Sequence, residues 1–252
     1  SSPVASNRGG GGAGGRIALY YDLNSFSGMV TALGGLGLVT GGAGTVYLKD
    51  SGDLVGELIV SNGGNSGAWT PLTSPEAFDL TVRDNAISYH QSAMSLSSMR
   101  ILAGGTFTHP AGGSGISISV SGDALIDSTS VVTASGKGHP SATGPGAGGT
   151  SNYNGGGGGY GDEGGKGMHT LPGSAYGSIL EPADLGSGGG RSGYAGDGGA
   201  GGGAIRLTVL GTLTVDGALS ANGADGVGSP SYSSGGGSGG SLYVTAGTIA
   251  GA

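Results

Sequence analysis

The chain has 252 residues, of which 64 are glycine and nine are proline, and it contains no cysteine. Charged residues make up 10% of it, and nine basic against sixteen acidic side chains give a net charge of −7. This composition excludes disulfide staples and disfavours nucleic acid and anionic membranes as partners. No apolar run approaches the roughly 18 residues that a membrane-spanning helix needs.

Two copies of a strand pattern occur in the first quarter of the chain. Ile17 and Leu19 follow a glycine tract and alternate with other residues, as in a strand with one apolar face. Val46 and Leu48 repeat this alternation before a second apolar pair and an Asn-Gly-Gly sequence. We therefore expect each copy to contain two or three short strands separated by glycine corners, which can take positive φ.

The clearest self-similarity joins residues 115–136 with residues 203–223, and weaker copies occur at 78–90 and 98–110. The matched apolar pairs are Ile116 with Ile205, Ile118 with Leu207, Val120 with Val209, Ala124 with Leu213, Ile126 with Val215 and Val132 with Leu219. A last copy starts with Leu242 and Val244. A unit that returns in the same order is typical of a repeat architecture.

These patterns predict an all-β chain, because no segment shows the 3.6-residue period of a helix. Identical units bury their apolar faces most simply by parallel stacking, so we expect one parallel β-solenoid over residues 1–252. Its predicted core consists of Ile17, Leu19, Val46, Leu48, Ile116, Ile118, Ile205, Leu207, Leu213, Val215, Leu219, Leu242 and Val244.

A glycine-rich region at 135–203 interrupts the strand pattern and is expected to be an insertion of loops within the solenoid. Such tracts are either flexible or packed as extended, polyglycine-II-like chains whose backbones approach closely. Glycine tracts repeatedly precede strands, and this fixed position favours ordered packing for those tracts. Single tyrosines punctuate the glycine-rich sequence at Tyr153, Tyr160, Tyr176, Tyr194 and Tyr232.

Three phrases of the sequence carry a resemblance: GGGGAGGRIALYY, AGTVYLKDSGDLVGELIVSNGG and GGAGGGAIRLTVLGTLTVDGALSANGADG. They resemble glycine-rich repeat segments of very large, adhesin-like bacterial cell-surface proteins. The resemblance implies a parallel β-helix, an extracellular location at the cell surface, and a structural or adhesive role. It covers nearly the whole chain, although repeat phrases specify architecture and no chemistry.

Candidate catalytic groups are sparse, and we expect no enzyme. Histidines 90, 109, 139 and 169 lie beside turn residues, form no metal-binding pair, and are expected at the surface or at corners. The best acidic pairs are Asp123 with Asp127 and Asp162 with Glu163, and corner aspartates usually cap turns. No cofactor is predicted. Calcium is a weak possibility at Asp162, Glu163 and Asp197, where solvated loop acids are the simpler interpretation.

Two function classes follow from these expectations. The first is a structural protein, either a tandem unit of a surface fibre or a filament protomer that stacks head to tail with copies of itself, since no capping element is evident at either end. The second is an adhesive module that binds surface glycans through loop aromatics, for which Tyr153, Tyr160, Tyr176 and Tyr194 are the candidate contacts.

Overall fold

The computed structural model describes residues 9–73, 76–229 and 231–252. Within these ranges the regular secondary structure consists of strands, and no helix is present. The strands are β1 (Arg16–Tyr21), β2 (Thr45–Asp50), β3 (Glu57–Ser61), β4 (Thr70–Leu72), β5 (Asp79–Arg83), β6 (Ile87–His90), β7 (Met94–Leu96), β8 (Ser98–Ile101), β9 (Thr106–Thr108), β10 (Ile116–Val120), β11 (Ala124–Ile126), β12 (Val131–Thr133), β13 (Ala204–Val215), β14 (Ala218–Ser220) and β15 (Ser241–Ala250). The all-β expectation is confirmed.

The expectation of a parallel β-solenoid is wrong. Ten strands form a mixed sheet in the order β1-β2-β3-β5-β8-β11-β13-β10-β7, with β15 paired to β13, and this sheet curls into a half-barrel. The other five form a separate sheet in the order β14-β12-β9-β6-β4. Most pairs are parallel, but β2 and β3 are antiparallel, so β1 and β2 run against the direction of the later strands.

The antiparallel pair also changes which face of the sheet the first apolar residues occupy. Val46 lies opposite Ile59, and directly opposite residues share a face. The neighbouring Leu58 and Val60 point to the other face, where Val60 joins the main core. Period-two alternation cannot distinguish a hairpin from a solenoid corner, because both preserve it across the turn.

Three predicted core residues of the first two strands are therefore only partly buried, and the fourth, Val46, is buried on the face opposite the main core. Ile17 pairs with Val46 and Leu19 with Leu48, so these four side chains share the face turned away from the main core. Val46 is nevertheless buried, Ile17 and Leu48 are half-buried, and Leu19 is 38% exposed. Leu19 is open to solvent because its strand lies at the end of the sheet order.

The main core lies where the repeats of the sequence stack on each other. Ile116 is opposite Ile205 and Ile118 is opposite Leu207, which is the register expected from self-similarity. These four side chains and Leu213 are buried. Val215, Leu219 and Val244 are half-buried and pack against the same cluster. Leu242 is 41% exposed, contrary to prediction. It lies in β15, which pairs with β13 on one side and has an open edge on the other.

The glycine-rich sequence forms a third component, here called the glycine lattice. Its extended segments are 155–160, 186–190, 198–203 and 234–240, its segment 138–149 contains turns, and the backbones of these segments bond directly to each other. The Gly190 N–H donates to the Gly156 carbonyl and the Gly235 N–H donates to the Gly190 carbonyl, with distances of 2.8 and 2.9 Å. Each segment thus bonds to several neighbours, which is ordered packing of backbones without side chains between them.

Glycine is required in this lattice by close approach. A Cβ atom on Gly190 would lie 1.8 Å from the carbonyl oxygen of Gly149, and one on Gly235 would lie 1.9 Å from that of Gly156. Because the obstructing atoms belong to hydrogen-bonded backbone, they cannot move aside as a flexible side chain could. The lattice consequently fixes the positions of the turns that connect its segments.

Candidate functional site

Four tight turns carry aromatic side chains at one end of the glycine lattice. Isolated bridges close or connect these turns at Ser151 with Ser192, Asn154 with Ser233, Gly167 with Thr170, Ser192 with Gly196, and Gly228 with Ser233. Each turn presents one ring, and the four rings are Tyr153, His169, Tyr194 and Tyr232. The turns come from separate parts of the sequence and are brought together by the lattice.

Serine hydroxyls hold the two central turns in place. Ser151 Oγ accepts hydrogen bonds from the N–H groups of Tyr153 and Asn154 at 3.1 and 3.0 Å. Ser192 is fully buried, accepts from the Ala195 N–H at 3.1 Å, and donates to the Tyr153 carbonyl at 2.7 Å. The second turn is thus attached to the first through a buried side chain, which limits the movement of both rings.

The third turn is attached to the first mainly through a backbone hydrogen bond. The Gly155 N–H donates to the Ser233 carbonyl at 2.9 Å, and the Asn154 side-chain amide reaches Ser233 Oγ at 3.4 Å. Within this turn, the Ser229 N–H donates to the Tyr232 carbonyl at 2.7 Å. Backbone hydrogen bonds therefore link all three tyrosine-bearing turns.

We call Tyr153, Tyr194 and Tyr232 the tyrosine cluster. Ring centroids are 5.5 Å apart for Tyr153 and Tyr194, 5.0 Å for Tyr194 and Tyr232, and 6.0 Å for Tyr153 and Tyr232. The interplanar angles are 69°, 51° and 36°, so the rings pack on each other at an inclination and do not form one flat platform. His169 lies at the border, 6.0 Å from Tyr153.

The tyrosine cluster remains open to solvent despite these contacts. Tyr153, Tyr194 and Tyr232 are 49%, 63% and 38% exposed. Arg191 and Asp197 flank the turn that carries Tyr194 and form an ion pair at 2.9 Å. Because these two charges neutralise each other, the local surface combines aromatic carbon and polar hydroxyl groups without a net charge from this pair.

The other two candidate contact tyrosines are structural. Tyr160 is 7% exposed, and its hydroxyl bonds to Ser241 Oγ at 2.6 Å, which links the glycine lattice to β15. The Tyr176 ring packs edge to face on Tyr160 at 4.8 Å, and its hydroxyl lies 2.9 Å from Ser187 Oγ. Desolvation raises the pKa of Tyr176, as expected for an enclosed phenol. Neither ring is available to a large ligand.

Two histidines expected at the surface or at corners lie at strand ends and are buried. His90 is 3% exposed, stacks on Phe107, and accepts a hydrogen bond at Nε2 from the Ser117 N–H. His109 is 1% exposed and has no hydrogen-bond partner at Nε2. Desolvation lowers the pKa of both rings, so they are neutral at ordinary pH.

The candidate catalytic acids serve the strand corners or lie in solvent. Asp123 Oδ1 accepts from the Thr212 N–H at 2.7 Å. Partial burial would raise the pKa of Asp127, but hydrogen bonds from the Ala103 N–H and from the N–H and hydroxyl of Thr129 outweigh it and lower the pKa to about 2. Asp162 and Glu163 are exposed next to a bend, and the Glu163 N–H donates a hydrogen bond to Asp162 Oδ1.

Neither a metal centre nor a membrane helix is evident in the described ranges. No group of three or more histidine or acidic side chains is placed to hold a metal ion there, and Asp197 is paired with Arg191. Those ranges also contain no helix that could cross a membrane.

Comparison with known proteins gives no relative to which this site can be assigned. No protein-family model, no curated protein and no solved structure matches the chain.

The sequence contains a signal for the tyrosine cluster that its glycine content obscures. Ser151-Asn152-Tyr153 and Ser192-Gly193-Tyr194 share the order serine, any residue, tyrosine, within glycine-rich surroundings. Serine at the first position of such a turn bonds to the following N–H groups. Repetition of this triplet predicts equivalent turns, although it does not show that they lie side by side.

Proposed function

We propose that this chain is an adhesive module, displayed outside a bacterial cell, that binds surface glycans through the tyrosine cluster and performs no catalysis. The proposal rests on one observation: three ordered, exposed tyrosines converge at the end of a lattice that consists mostly of glycine. Exposed aromatic clusters on rigid scaffolds are characteristic of binding surfaces.

Tyrosine suits a saccharide ligand because it combines an apolar ring face with a hydroxyl group. Sugar C–H groups pack on the ring while sugar hydroxyls hydrogen-bond to the phenol or to nearby backbone. The ring planes are inclined to each other by 36° to 69° and the rings are in mutual contact, so a sugar packs on their exposed outer surface, and this uneven surface favours a single sugar unit or a branch end. A flat polysaccharide surface would need nearly coplanar rings.

Rigidity supports the same conclusion. Ser151 and Ser192 fix the turns before any ligand arrives, so binding costs little ordering of the loops. Tyrosine itself has few rotatable bonds, which further limits the entropy lost on binding. These properties allow useful affinity from a small contact area.

Glycan-array binding by the purified chain tests the proposal. We expect selective binding that is lost when Tyr153 and Tyr194 are both replaced by alanine. Tyr20→Ala is the matched control, because Tyr20 is 72% exposed but lies in β1, outside the tyrosine cluster. Equal binding by the double variant and the control would refute the role of the cluster, and an array without any bound glycan would refute the saccharide ligand.

A second candidate function is self-assembly, favoured by one edge of the mixed sheet. The ten-residue strand β15 pairs with β13 on one side, and Leu242 and Ile249 on β15 are 41% and 67% exposed. A long strand edge with exposed apolar residues offers a template for a strand from another copy. Such a contact would support the fibre or head-to-tail filament expected from the sequence.

Sedimentation velocity over a range of concentrations tests self-assembly. We expect association that weakens when Ile249 is replaced by lysine, because a charge on this edge opposes pairing. Leu210→Lys is the control, since Leu210 is 70% exposed on the neighbouring strand β13. A chain that stays monomeric at every concentration, or that associates equally well with lysine at 249, contradicts this function.

A further inference from the structure

A second aromatic group lies on the separate five-stranded sheet and is distinct from the tyrosine cluster. Trp69 immediately precedes β4, and Tyr89 lies in β6, the strand that pairs with β4. Their rings are 6.1 Å apart at 64°. The Lys137 ammonium lies over the Trp69 ring, with Nζ 4.2 Å from the ring centroid.

Backbone contacts hold each of these residues in place. The hydroxyl of Thr70, next to Trp69, donates to the Ala43 carbonyl at 2.7 Å. The Lys137 N–H donates to the Ala134 carbonyl, and its own carbonyl accepts from the Gly112 N–H at 3.0 Å. Trp69 is nevertheless 39% exposed, so part of the indole is presented to solvent next to the Lys137 ammonium.

The Lys137 ammonium has an aromatic ring as its neighbour and no carboxylate. In the described parts of the chain, Arg83 pairs with Asp84 and Arg191 with Asp197, while Lys137, like the remaining described basic side chains, forms no ion pair. Partial desolvation lowers the pKa of Lys137, which indicates that the ammonium has lost some of its water. An incompletely hydrated cation without a counter-ion gains more from an incoming anion than a fully hydrated one.

We infer that Trp69, Tyr89 and Lys137 form a binding site for an acidic saccharide. The sugar ring packs on the exposed part of the indole, and its carboxylate or sulfate group pairs with the Lys137 ammonium. Tyr89 limits the site on one side through its inclined contact with Trp69. An acidic sugar fits better than a neutral one because it alone supplies the missing counter-charge.

The site also fits a saccharide better than an acidic peptide or nucleic acid. A single ammonium in a chain with a net charge of −7 provides little attraction at long range for a polyanion. The attraction is local and depends on stacking against one indole at the same time. This requirement is met by a ring that carries its own acidic group.

Trp69 is the one tryptophan of the chain, so its fluorescence reports on this site alone. The experiment titrates the purified full chain with a trimer of galacturonic acid, with a neutral galactose trimer, and with a sulfated oligosaccharide. We expect a saturable change in Trp69 emission with an acidic trimer and binding at least about tenfold weaker with the neutral one. The carboxylated and sulfated arms identify which acidic group is preferred.

Three variants complete the test. Lys137→Gln should weaken acidic-sugar binding by about tenfold or more, and Lys137→Arg should largely retain it. Lys166→Gln is the control and should leave binding unchanged, because Lys166 is exposed in the glycine-rich region and is not part of this site. If Lys137→Gln is less stable, the salt dependence of wild-type binding replaces it, since added salt must weaken an interaction with Lys137. Equal binding of acidic and neutral trimers, salt-independent binding, or no change in emission would overturn the inference.

This site and the tyrosine cluster can fail independently. Replacing Tyr153 and Tyr194 should leave the Trp69 titration unchanged, because neither residue contacts Trp69, Tyr89 or Lys137. Loss of array binding with an intact Trp69 response would therefore support both sites, whereas a Trp69 response that depends on the tyrosine cluster would contradict the separate site.

Discussion

His109 and Gly203 are in direct contact inside the molecule, where the end of β9 meets the glycine lattice. A Cβ atom on Gly203 would lie 2.1 Å from His109 Nε2, and this nitrogen has no hydrogen-bond partner. The opposite nitrogen, Nδ1, lies 2.9 Å from the Pro110 carbonyl and donates to it in the neutral ring. The lattice thus packs against His109 Nε2. Protonation of this nitrogen would place a charged N–H there without a hydrogen-bond acceptor.

This contact predicts that acid destabilises the chain. Desolvation is the largest influence on His109 and lowers its pKa below 6.5; His90 and the Lys137 ammonium lower it further, while the bond to Pro110 opposes them. Below pH 6.5 the unfolded chain binds protons that the folded chain cannot, so unfolding becomes easier. We expect the free energy of unfolding to fall by up to about 1.4 kcal/mol per pH unit for each buried histidine.

Urea unfolding between pH 7.5 and pH 5 measures this effect. His109→Gln should make the fall shallower, although His90, whose pKa is also lowered, retains a share of it. His169→Gln is the control, because His169 is exposed. An unchanged slope in His109→Gln, or no loss of stability in this pH range, would contradict the prediction.

The lattice predicts unequal costs for the same substitution at two glycines. Gly190→Ala places a Cβ 1.8 Å from the Gly149 carbonyl oxygen, and we expect a loss of about 3 kcal/mol, the upper range for overpacking. At Gly165 nothing lies within 4 Å, so alanine there should change stability by less than about 0.5 kcal/mol. Thermal unfolding compares the two, and similar losses would mean that the backbones are not closely packed.

Substitutions at Tyr160 and Tyr153 should affect stability and glycan binding separately. Tyr160→Phe removes the hydroxyl that bonds to Ser241, so we expect a loss of about 1 kcal/mol of stability with unchanged glycan binding. Tyr153→Ala should show the reverse, because its ring is half exposed and its backbone supplies the turn contacts. Weakened binding in Tyr160→Phe would indicate that the buried tyrosine pair shapes the site.

The reversed direction of β2 predicts which leucines carry the stability of the sheet. Leu80 is fully buried in the main core, and its replacement by alanine should cost about 2–5 kcal/mol. Leu19 lies on the other face and is 38% exposed, so alanine there should cost less than about 1 kcal/mol. Equal costs in chemical denaturation would imply that Leu19 belongs to a shared core.

The sequence predicts contacts between repeats better than it predicts their path. Matching Ile116 with Ile205 identifies neighbours in the sheet, because stacked copies of one pattern place equivalent side chains opposite each other. The hairpin at β2 and β3 escapes this reasoning. Gly52 and Asp53 form its turn by bonding to Asp50, and a turn of glycine and aspartate is equally compatible with a solenoid corner.

The functional surface is predictable only in part for a related reason. Tyrosines within glycine tracts are conspicuous, but Tyr160 is buried and Tyr194 is exposed in similar local sequence. What separates them is the position of each segment in the lattice, which depends on hydrogen bonds between distant glycines. Backbone groups are the same in every residue, so these bonds leave no specific signature in the sequence.

The attachment of each aromatic ring to its own turn has a consequence for how such a surface can diversify. Lattice glycines such as Gly190 and Gly235 have no room for a side chain, while the Tyr194 and Tyr232 rings are exposed on their turns and pack on each other. Exchanging one tip residue should therefore alter the tyrosine cluster and its ligand preference without disturbing the backbone that carries it. Variation among descendants of this chain should concentrate at the tips, one position at a time, as it does in the loops of other recognition proteins.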